Sequence, residues 1–210
     1  YGGAIVSIQY NGKEWVDNGP RLANGTGDKG RSVQTSLYVD NVRQDGFFCN
    51  NQNQFPWGWN PVQAGDSCGG GSGVLSVTAT PTSIHTVTRP RQWNPAQSGG
   101  LSNTIVEQTI EFEAADVIRV HYTITNNESF SIQGSSHELP VVYLRPNQLF
   151  QASAYTGADP WNFASPPETF TLTPSDHTAS AIKFATEHWA SWGSIWGEEI
   201  ALYAPPVGPG

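Results

Sequence analysis

The chain of 210 residues is poor in charge, has only two cysteines and has no methionine. Charged residues make up 13%, and acids outnumber bases by 18 to 10, which gives a formal charge of −8. This charge balance argues against a nucleic-acid partner, because binding phosphates needs clustered lysine and arginine. No apolar run is long enough to span a bilayer, so no membrane partner is expected. The missing methionine, the initiator included, predicts a processed or trimmed chain, and the lack of a visible signal peptide is typical of a mature secreted protein.

The two cysteines, Cys49 and Cys68, share one Gly/Asn-rich stretch. A disulfide between them would constrain the unfolded chain by roughly 3 kcal/mol, and the alternative is two free buried thiols. We expect the disulfide, because an irregular loop has little else to hold it, and a disulfide implies an oxidising compartment. Glycosylation sequons at Asn24 (NGT) and Asn127 (NES) point the same way. The sequence therefore predicts a secreted, extracellular protein.

The dominant pattern in the chain is an alternation of hydrophobic and polar residues with a period of two. In residues 104–114, Val106, Ile110 and Phe112 share one face and glutamates occupy the other, and residues 117–124 alternate in the same way. A gap of hairpin length, Ala115 and Asp116, separates the two segments. Further strand-like runs recur with Pro, Gly, Asn or Asp between them, and no segment shows helical periodicity. This pattern predicts an all-β fold, an antiparallel β-sandwich with long aromatic-rich loops in one domain spanning residues 1–210.

Three of the long irregular stretches, WGWNPVQAGD, TRPRQWNP and GADPWNF, combine tryptophan with polar side chains. Tryptophan and tyrosine faces stack on sugar rings, and Asn, Gln, Arg and Asp hydrogen-bond hydroxyls. The alternative is that the tryptophans plug the edges of the sandwich. Together the three clusters favour a polysaccharide or oligosaccharide partner. The predicted sugar-binding residues are Gln34, Trp57, Trp59, Asn60, Gln63, Asp66, Arg89, Trp93 and Tyr143.

Two histidines adjoin glutamates and are candidates for proton transfer near neutral pH. His137 opens the apolar run of SSHELPVVYL, and His188 follows Glu187. Neighbouring strand residues point to opposite faces, so the members of one pair share a site only if the strand bulges. We expect His137 to transfer the proton, His188 and Glu187 to be second candidates, and Arg31 to clamp a substrate anion or hydroxyl. Structural hydrogen bonding is the alternative for the two histidines and Glu187, and a salt bridge to a nearby acid is the alternative for Arg31.

Motifs for other chemistries are missing from the sequence. It has no HExxH, EF-hand loop, P-loop or GxSxG, and its cysteines lack a close partner for zinc. No cofactor and no metal are expected.

Several segments carry a resemblance to a known superfamily. YGGAIVSIQYNGKEWV followed by GRSVQTSLY is similar to the opening of the galactose-mutarotase-like β-sandwich proteins, and NPVQAGD and TEHWASWGSIWGEEIALYAP resemble segments of their secreted, poorly characterised relatives. SSHELPVVYL resembles the strand that carries that superfamily's active-site histidine, here His137. The resemblance implies a short version of that sandwich and a carbohydrate-active role. For the partner carboxylate it leaves Glu187, Glu198 and Glu199 as alternatives.

The sequence and the resemblance together predict an enzyme that cleaves a polysaccharide by acid–base chemistry, as a lyase or a glycoside hydrolase. A non-catalytic carbohydrate-binding module or lectin is the alternative, which a flat, exposed tryptophan row without a convergent histidine would favour. An extracellular structural protein, for example a self-assembling one, is the third alternative. The processed start of the chain and its Pro/Gly-rich tail APPVGPG are compatible with it.

Overall fold

A computed structural model divides the chain into two compact units, Tyr1–Tyr143 (unit 1) and Leu144–Gly210 (unit 2). The structure describes residues 2–16, 33–47, 54–66, 69–93, 100–132, 137–144, 151–162, 165–171, 185–193, 197 and 199–205. Within those residues it is built of β-strands, without a helix, which confirms the predicted all-β fold. The several antiparallel sheets are compatible with a β-sandwich. A single domain over residues 1–210 stays a prediction.

The strands of the described residues are short and follow one another closely, as the frequent turn residues predict. In chain order they are β1 (Gln9–Tyr10), β2 (Lys13–Glu14), β3 (Val33–Ser36), β4 (Val39–Phe47), β5 (Gln54–Trp59), β6 (Pro61–Val62), β7 (Gly73–Ala79), β8 (Ser83–Arg89), β9 (Arg91–Gln92), β10 (Ile105–Ala114), β11 (Val117–Thr125), β12 (Glu138–Val142), β13 (Gln151–Ala154), β14 (Glu168–Thr171), β15 (Trp189–Gly193) and β16 (Glu199–Tyr203).

The first sheet of unit 1 has the strand order β11-β10-β8-β7. It includes the β10-β11 hairpin that the two-residue period predicts, with Val106 opposite Ile124 and Ile110 opposite Val120 across the turn at Ala115 and Asp116. The alternation places these aliphatic side chains on one face and leaves the charged residues of β10 and β11 on the other.

The second sheet of unit 1 has the order β12-β3-β6-β9, and β1-β2 and β4-β5 form separate hairpins. Residues 33–36 of β3 are all buried, because β3 is a central strand that pairs with β12 on one side and β6 on the other. The ladder between β12 and β3 shifts register between Glu138 and Val141. The shift lies directly after His137, so it helps to determine where that side chain is presented.

The hydrophobic core of unit 1 gathers side chains from strands of several sheets. Leu37, Val39 and Trp59 are each 2% exposed and form its centre. The partly buried side chains packed against that centre are Val42, Ile124, Phe130 and Ile132. Since Ile124 belongs to β11, the core joins the first sheet to the β4-β5 hairpin.

A chain of buried polar groups connects the first and second sheets of unit 1. The amide of Thr35 donates to Oε1 of Gln63, Nε2 of Gln63 donates to Oε1 of Gln108 at 2.8 Å, and Nε2 of Gln108 donates to the Tyr122 hydroxyl at 2.9 Å. Gln63 and Gln108 are both fully buried. Burial raises the pKa of the Tyr122 phenol, and the hydrogen bond from Gln108 opposes that shift only in part. The phenol is therefore a neutral member of this network.

The described residues of unit 2 form one four-stranded sheet, in the order β14-β13-β15-β16. Ala152, Ala154 and Ser191 are its most buried strand residues. Trp189, at the start of β15, lies directly opposite Tyr203 at the end of β16. Small buried residues within its strands and aromatic residues at the strand ends give this sheet a different character from the sheets of unit 1.

Six predicted features lie wholly outside the described residues: Cys49, Cys68, the disulfide between them, Arg31, the candidate carboxylate Glu198 and the sequon residue Asn24. The side chain of Trp57 also lies outside the described part. In the portion of the chain that the structure describes, no helix has the length and apolarity needed to cross a bilayer.

Candidate functional site

The buried glutamines among the predicted sugar-binding residues direct their polar groups to the backbone of unit 1. Oε1 of Gln34 accepts the amide of Ala64 at 3.1 Å, and Gln63 bridges Thr35 and Gln108. Gln34 is 5% exposed and Gln63 is 0% exposed. These contacts satisfy backbone groups that a short β6 leaves without strand partners, so they support the structural alternative for both residues.

Asn60 occupies a similar position between strands. Its side-chain Oδ1 accepts a hydrogen bond from the hydroxyl of Ser36 at 2.7 Å, and its backbone N–H donates to Oε1 of Gln92 at 3.0 Å. Nε2 of Gln92 in turn donates to the carbonyl of Gly58, and the amide of Trp93 donates to the carbonyl of Asn60. Asn60 and Gln92 therefore stabilise the crossing from β5 into β6 and hold half-buried Trp93 beside it.

Asp66 stabilises a tight turn. Its Oδ1 accepts the amide of Gly70 at 2.6 Å, and Oδ2 lies 3.7 Å from the guanidinium of Arg91. A side chain is sterically excluded at Gly65 and Gly70, where an added Cβ would lie 2.1 Å from the carbonyl of Gly70 and 2.3 Å from Asp66 Oδ2 respectively. With Asp66 only 4% exposed, the glycines and the carboxylate of this motif form one structural unit.

Arg89 is anchored by the segment before β10. Its Nε donates to the carbonyl of Ser102 at 2.8 Å and its guanidinium to Oδ1 of Asn103 at 3.0 Å. Glu128 in turn accepts the amides of Asn103 and Thr104. Asn127, the second sequon residue, is next to Glu128 and is exposed. Its side chain is therefore accessible for glycosylation.

Trp59 belongs to the core of unit 1. It is 2% exposed, and its ring meets Phe130 edge to face with 5.1 Å between centroids. A ring buried in this way offers no face to a sugar, which supports the edge-plug alternative for this tryptophan.

His137 is half-buried and has a defined ring orientation. Its Nδ1 lies 3.2 Å from the backbone amide of Tyr38, which can only donate. Nδ1 is therefore the acceptor, and in the neutral ring the proton lies on Nε2. Glu138 is exposed and accepts the hydroxyl of Tyr143 at 3.5 Å, so this predicted sugar-binding tyrosine contacts Glu138.

In unit 2, Glu187 holds two tryptophans through one buried carboxylate. Oε1 accepts the backbone amide of Trp161 at 2.5 Å, and Oε2 accepts the indole Nε1 of Trp189 at 2.7 Å. Glu187 is 6% exposed, so both hydrogen bonds are shielded from water. Both carboxylate oxygens are engaged, which makes Glu187 a positioning residue here. Its neighbour His188 is exposed and has a left-handed backbone conformation, with φ of 59°.

The loop that carries Trp161 is fixed by further hydrogen bonds. The buried Tyr155 hydroxyl donates to the carbonyl of Asp159 at 2.9 Å. Thr186 donates its amide to the carbonyl of Tyr155 and its hydroxyl to the carbonyl of Gly157, each at 2.8 Å. Trp161 itself has φ of 65°, a conformation that non-glycine residues rarely adopt and that the surrounding bonds must maintain.

Trp161, Trp189 and Tyr203 form what we call the aromatic platform. Trp161 and Tyr203 are each 55% exposed, and Trp189 is half-buried. Trp189 and Tyr203 are direct cross-strand partners, which places their side chains on the same face of the sheet. Glu187 connects Trp189 to the backbone of Trp161. The platform is thus an exposed aromatic surface on a hydrogen-bonded support.

The charged side chains in the described part of unit 2 are all acidic. They are Asp159, Glu168, Glu187 and Glu199. Across the described residues of the chain, no three His, Cys, Asp or Glu side chains converge to hold a metal ion.

Comparisons with protein-family models, with curated proteins and with solved structures each found no match. The resemblance to the galactose-mutarotase-like sandwich therefore stays a prediction.

The support of the platform was not predictable from residue pattern. GADPWNF marks an aromatic loop, but the bond between Trp161 and Glu187 joins residues 26 positions apart. A weak signal was present in Glu187, His188 and Trp189, where an acid lies two residues before a tryptophan in a chain otherwise poor in charge.

Proposed function

We propose that this chain binds a polysaccharide or oligosaccharide, and that the aromatic platform of unit 2 is its contact surface. The observation that carries the proposal is Trp161, an exposed ring on a backbone that a buried carboxylate holds in a rare conformation. An exposed aromatic side chain has little reason to be fixed so firmly for folding alone. Backbone outliers maintained by their surroundings are concentrated at ligand sites.

The platform suits the chemistry of sugars. Pyranose rings have apolar faces that stack on aromatic rings, and their hydroxyls need polar partners at the rim. Because the loop is already ordered by Tyr155 and Thr186, binding a ligand loses little conformational entropy. The formal charge of −8 and the acidic side chains in the described part of unit 2 disfavour a polyanion. We therefore infer a neutral glycan rather than a uronate or sulfated one.

The proposed setting is extracellular, where polysaccharides are available as partners. The exposed sequon residue Asn127 supports this setting.

Affinity electrophoresis or calorimetry against neutral and anionic polysaccharides tests the proposal. We expect Trp161→Ala to weaken binding by about 10-fold or more, as truncation of a central aromatic contact does. Phe112→Ala is the matched control, because Phe112 is 61% exposed in unit 1 and should leave affinity unchanged. Equal losses in both variants, or no binding by the parent to any neutral glycan, would refute the proposal.

Polysaccharide cleavage at His137, by a lyase or hydrolase mechanism, is the second candidate. The favouring observation is the bond from the Tyr38 amide, which fixes one tautomer and orients Nε2 as the proton-carrying atom. In this proposal Arg31 would clamp the substrate, and His188 would be the alternative proton-transfer residue.

A polysaccharide panel assayed for new reducing ends and for absorbance of unsaturated products separates hydrolase, lyase and pure binder. His137→Gln keeps a hydrogen-bonding side chain but removes titration, so we expect turnover to fall about 100-fold or more while binding persists. Unchanged turnover on a substrate that the parent cleaves would assign the proton transfer elsewhere.

A further inference from the structure

The edge strand β7 differs from its neighbours in both exposure and composition. Val74, Leu75 and Val77 are 50%, 56% and 55% exposed, and of the described strands only β8 pairs with β7. The outer backbone N–H and C=O groups of β7 therefore face outward from the sheet, in a regular row from Ser76 to Ala79 and with a register shift between Val74 and Ser76. Such an edge is a template for another strand.

The other edges of the three four-stranded sheets each carry charge. These edge residues are Arg119 in β11, Glu138 in β12, Arg91 in β9, Glu168 in β14 and Glu199 in β16. Charges on an edge oppose pairing with a further strand. β7 has the sequence GVLSVTA, and the chain carries no Asp, Glu, Lys or Arg from Ser67 to Ile84.

We propose that β7 is an interface for a second copy of this chain, which adds its own β7 antiparallel and extends the four-stranded sheet into one of eight strands. A two-fold axis between identical strands brings each residue near its own counterpart, so an uncharged strand is self-compatible where a charged one is not. The ladder between β7 and β8 is regular from Ser76 to Ala79, and with the axis at Val77 that residue lies opposite its own counterpart. The pairing satisfies the outer backbone groups of this segment and covers part of the exposed Val77 side chain.

Charge sets the expected salt dependence. Each copy has a formal charge of −8, so two copies repel at long range while their β7 strands carry no charge. Added salt screens that repulsion, and the dimer should become tighter rather than weaker.

Sedimentation velocity and light scattering over a micromolar-to-millimolar series test the proposal on the full chain. We expect a reversible dimer whose dissociation constant rises about 100-fold or more in Val77→Lys, because like charges then meet across the axis. Thr123→Lys is the matched control: it places the same charge on the exposed edge strand β11 and should leave dimerisation unchanged.

Leu75→Lys is a second disrupting variant, and circular dichroism verifies that each variant is folded. The proposal would be overturned if the parent stays monomeric at every concentration. This holds also if β7 of the monomer binds a foreign peptide. A dimer unaffected by both lysines would also overturn it. Hydrogen exchange gives an independent readout, since the outward amides of β7 should exchange more slowly as concentration rises.

Discussion

Trp59 in unit 1 and Trp161 in unit 2 are both tryptophans among polar residues, and the chain treats them in opposite ways. Trp59 is 2% exposed against Phe130, and the polar residues near it bond to backbone groups. Trp161 is 55% exposed, and a buried carboxylate holds its backbone. A tryptophan among polar residues thus belongs to the hydrophobic core in unit 1 and to an exposed surface in unit 2. The two tryptophans differ in whether the hydrogen bonds of the neighbouring residues leave the ring buried or exposed to solvent.

The largest expected effect is on the stability of unit 1. Trp59→Ala removes a buried ring and leaves a cavity, so it should lower the free energy of unfolding by about 3–5 kcal/mol. Trp161→Ala should change it by less than about 0.5 kcal/mol, because its ring is largely in solvent. Guanidinium unfolding followed by circular dichroism compares the two. Similar free energies of unfolding for the two variants would contradict the assignment of Trp59 to the core and of Trp161 to the surface.

A smaller effect is expected for the buried polar chain between the sheets of unit 1. Gln108→Leu leaves Nε2 of Gln63 and the Tyr122 hydroxyl without their partner, which should cost about 1–3 kcal/mol. Glu107→Leu, on the exposed face of the same strand, is the control and should change stability by about 0.5 kcal/mol or less. If Gln108→Leu is as stable as the parent, the network is not a stabilising feature.

How far the sequence predicted this structure depended on which interactions were local. The alternation of residues 104–124 led directly to the β10-β11 hairpin, with Ile110 opposite Val120. Gln34 and Gln63 were predicted to bind sugar, yet both are buried where short strands leave backbone groups to satisfy, and no local pattern marks that role. Contacts that join distant segments, such as that of Glu187 with Trp161, leave no periodic signal.

The support of the aromatic platform gives the next prediction. Glu187→Gln replaces one acceptor oxygen with a donor that faces an N–H group, so Trp161 or Trp189 loses its charge-assisted bond. We expect glycan affinity to fall about 10-fold, the equivalent of one such bond. His188→Asn, which tolerates the same left-handed backbone at an exposed position, should bind as the parent does. Calorimetric titration distinguishes them, and equal affinities would mean that Glu187 does not position the platform.

The smallest effect concerns acid stability at the β1-β2 hairpin of unit 1. Burial alone would raise the pKa of Glu14, but hydrogen bonds from the Ser7 hydroxyl and the amides of Ile8 and Val16 hold it below its ordinary value. The ionised carboxylate therefore stabilises the fold above the ordinary carboxyl pKa, and that contribution is lost as the pH falls through the folded-state pKa.

Unfolding measured across a pH series should thus show Glu14→Gln less stable than the parent near neutrality, with the two converging in acid. Exposed Glu111→Gln provides the comparison and should show no such convergence. A constant difference between Glu14→Gln and the parent at every pH would contradict the linkage.

A glycan titration followed by NMR of the indole Nε1–H signals tests the contrast between the two units most directly. The chain has 8 tryptophans, so each indole is a separate reporter within one sample. If the aromatic platform binds the sugar, the signals of Trp161 and Trp189 shift with ligand concentration while that of Trp59 stays unchanged. Shifts at Trp59 or Trp93 with Trp161 unmoved would place binding in unit 1 and contradict the assignment of the platform.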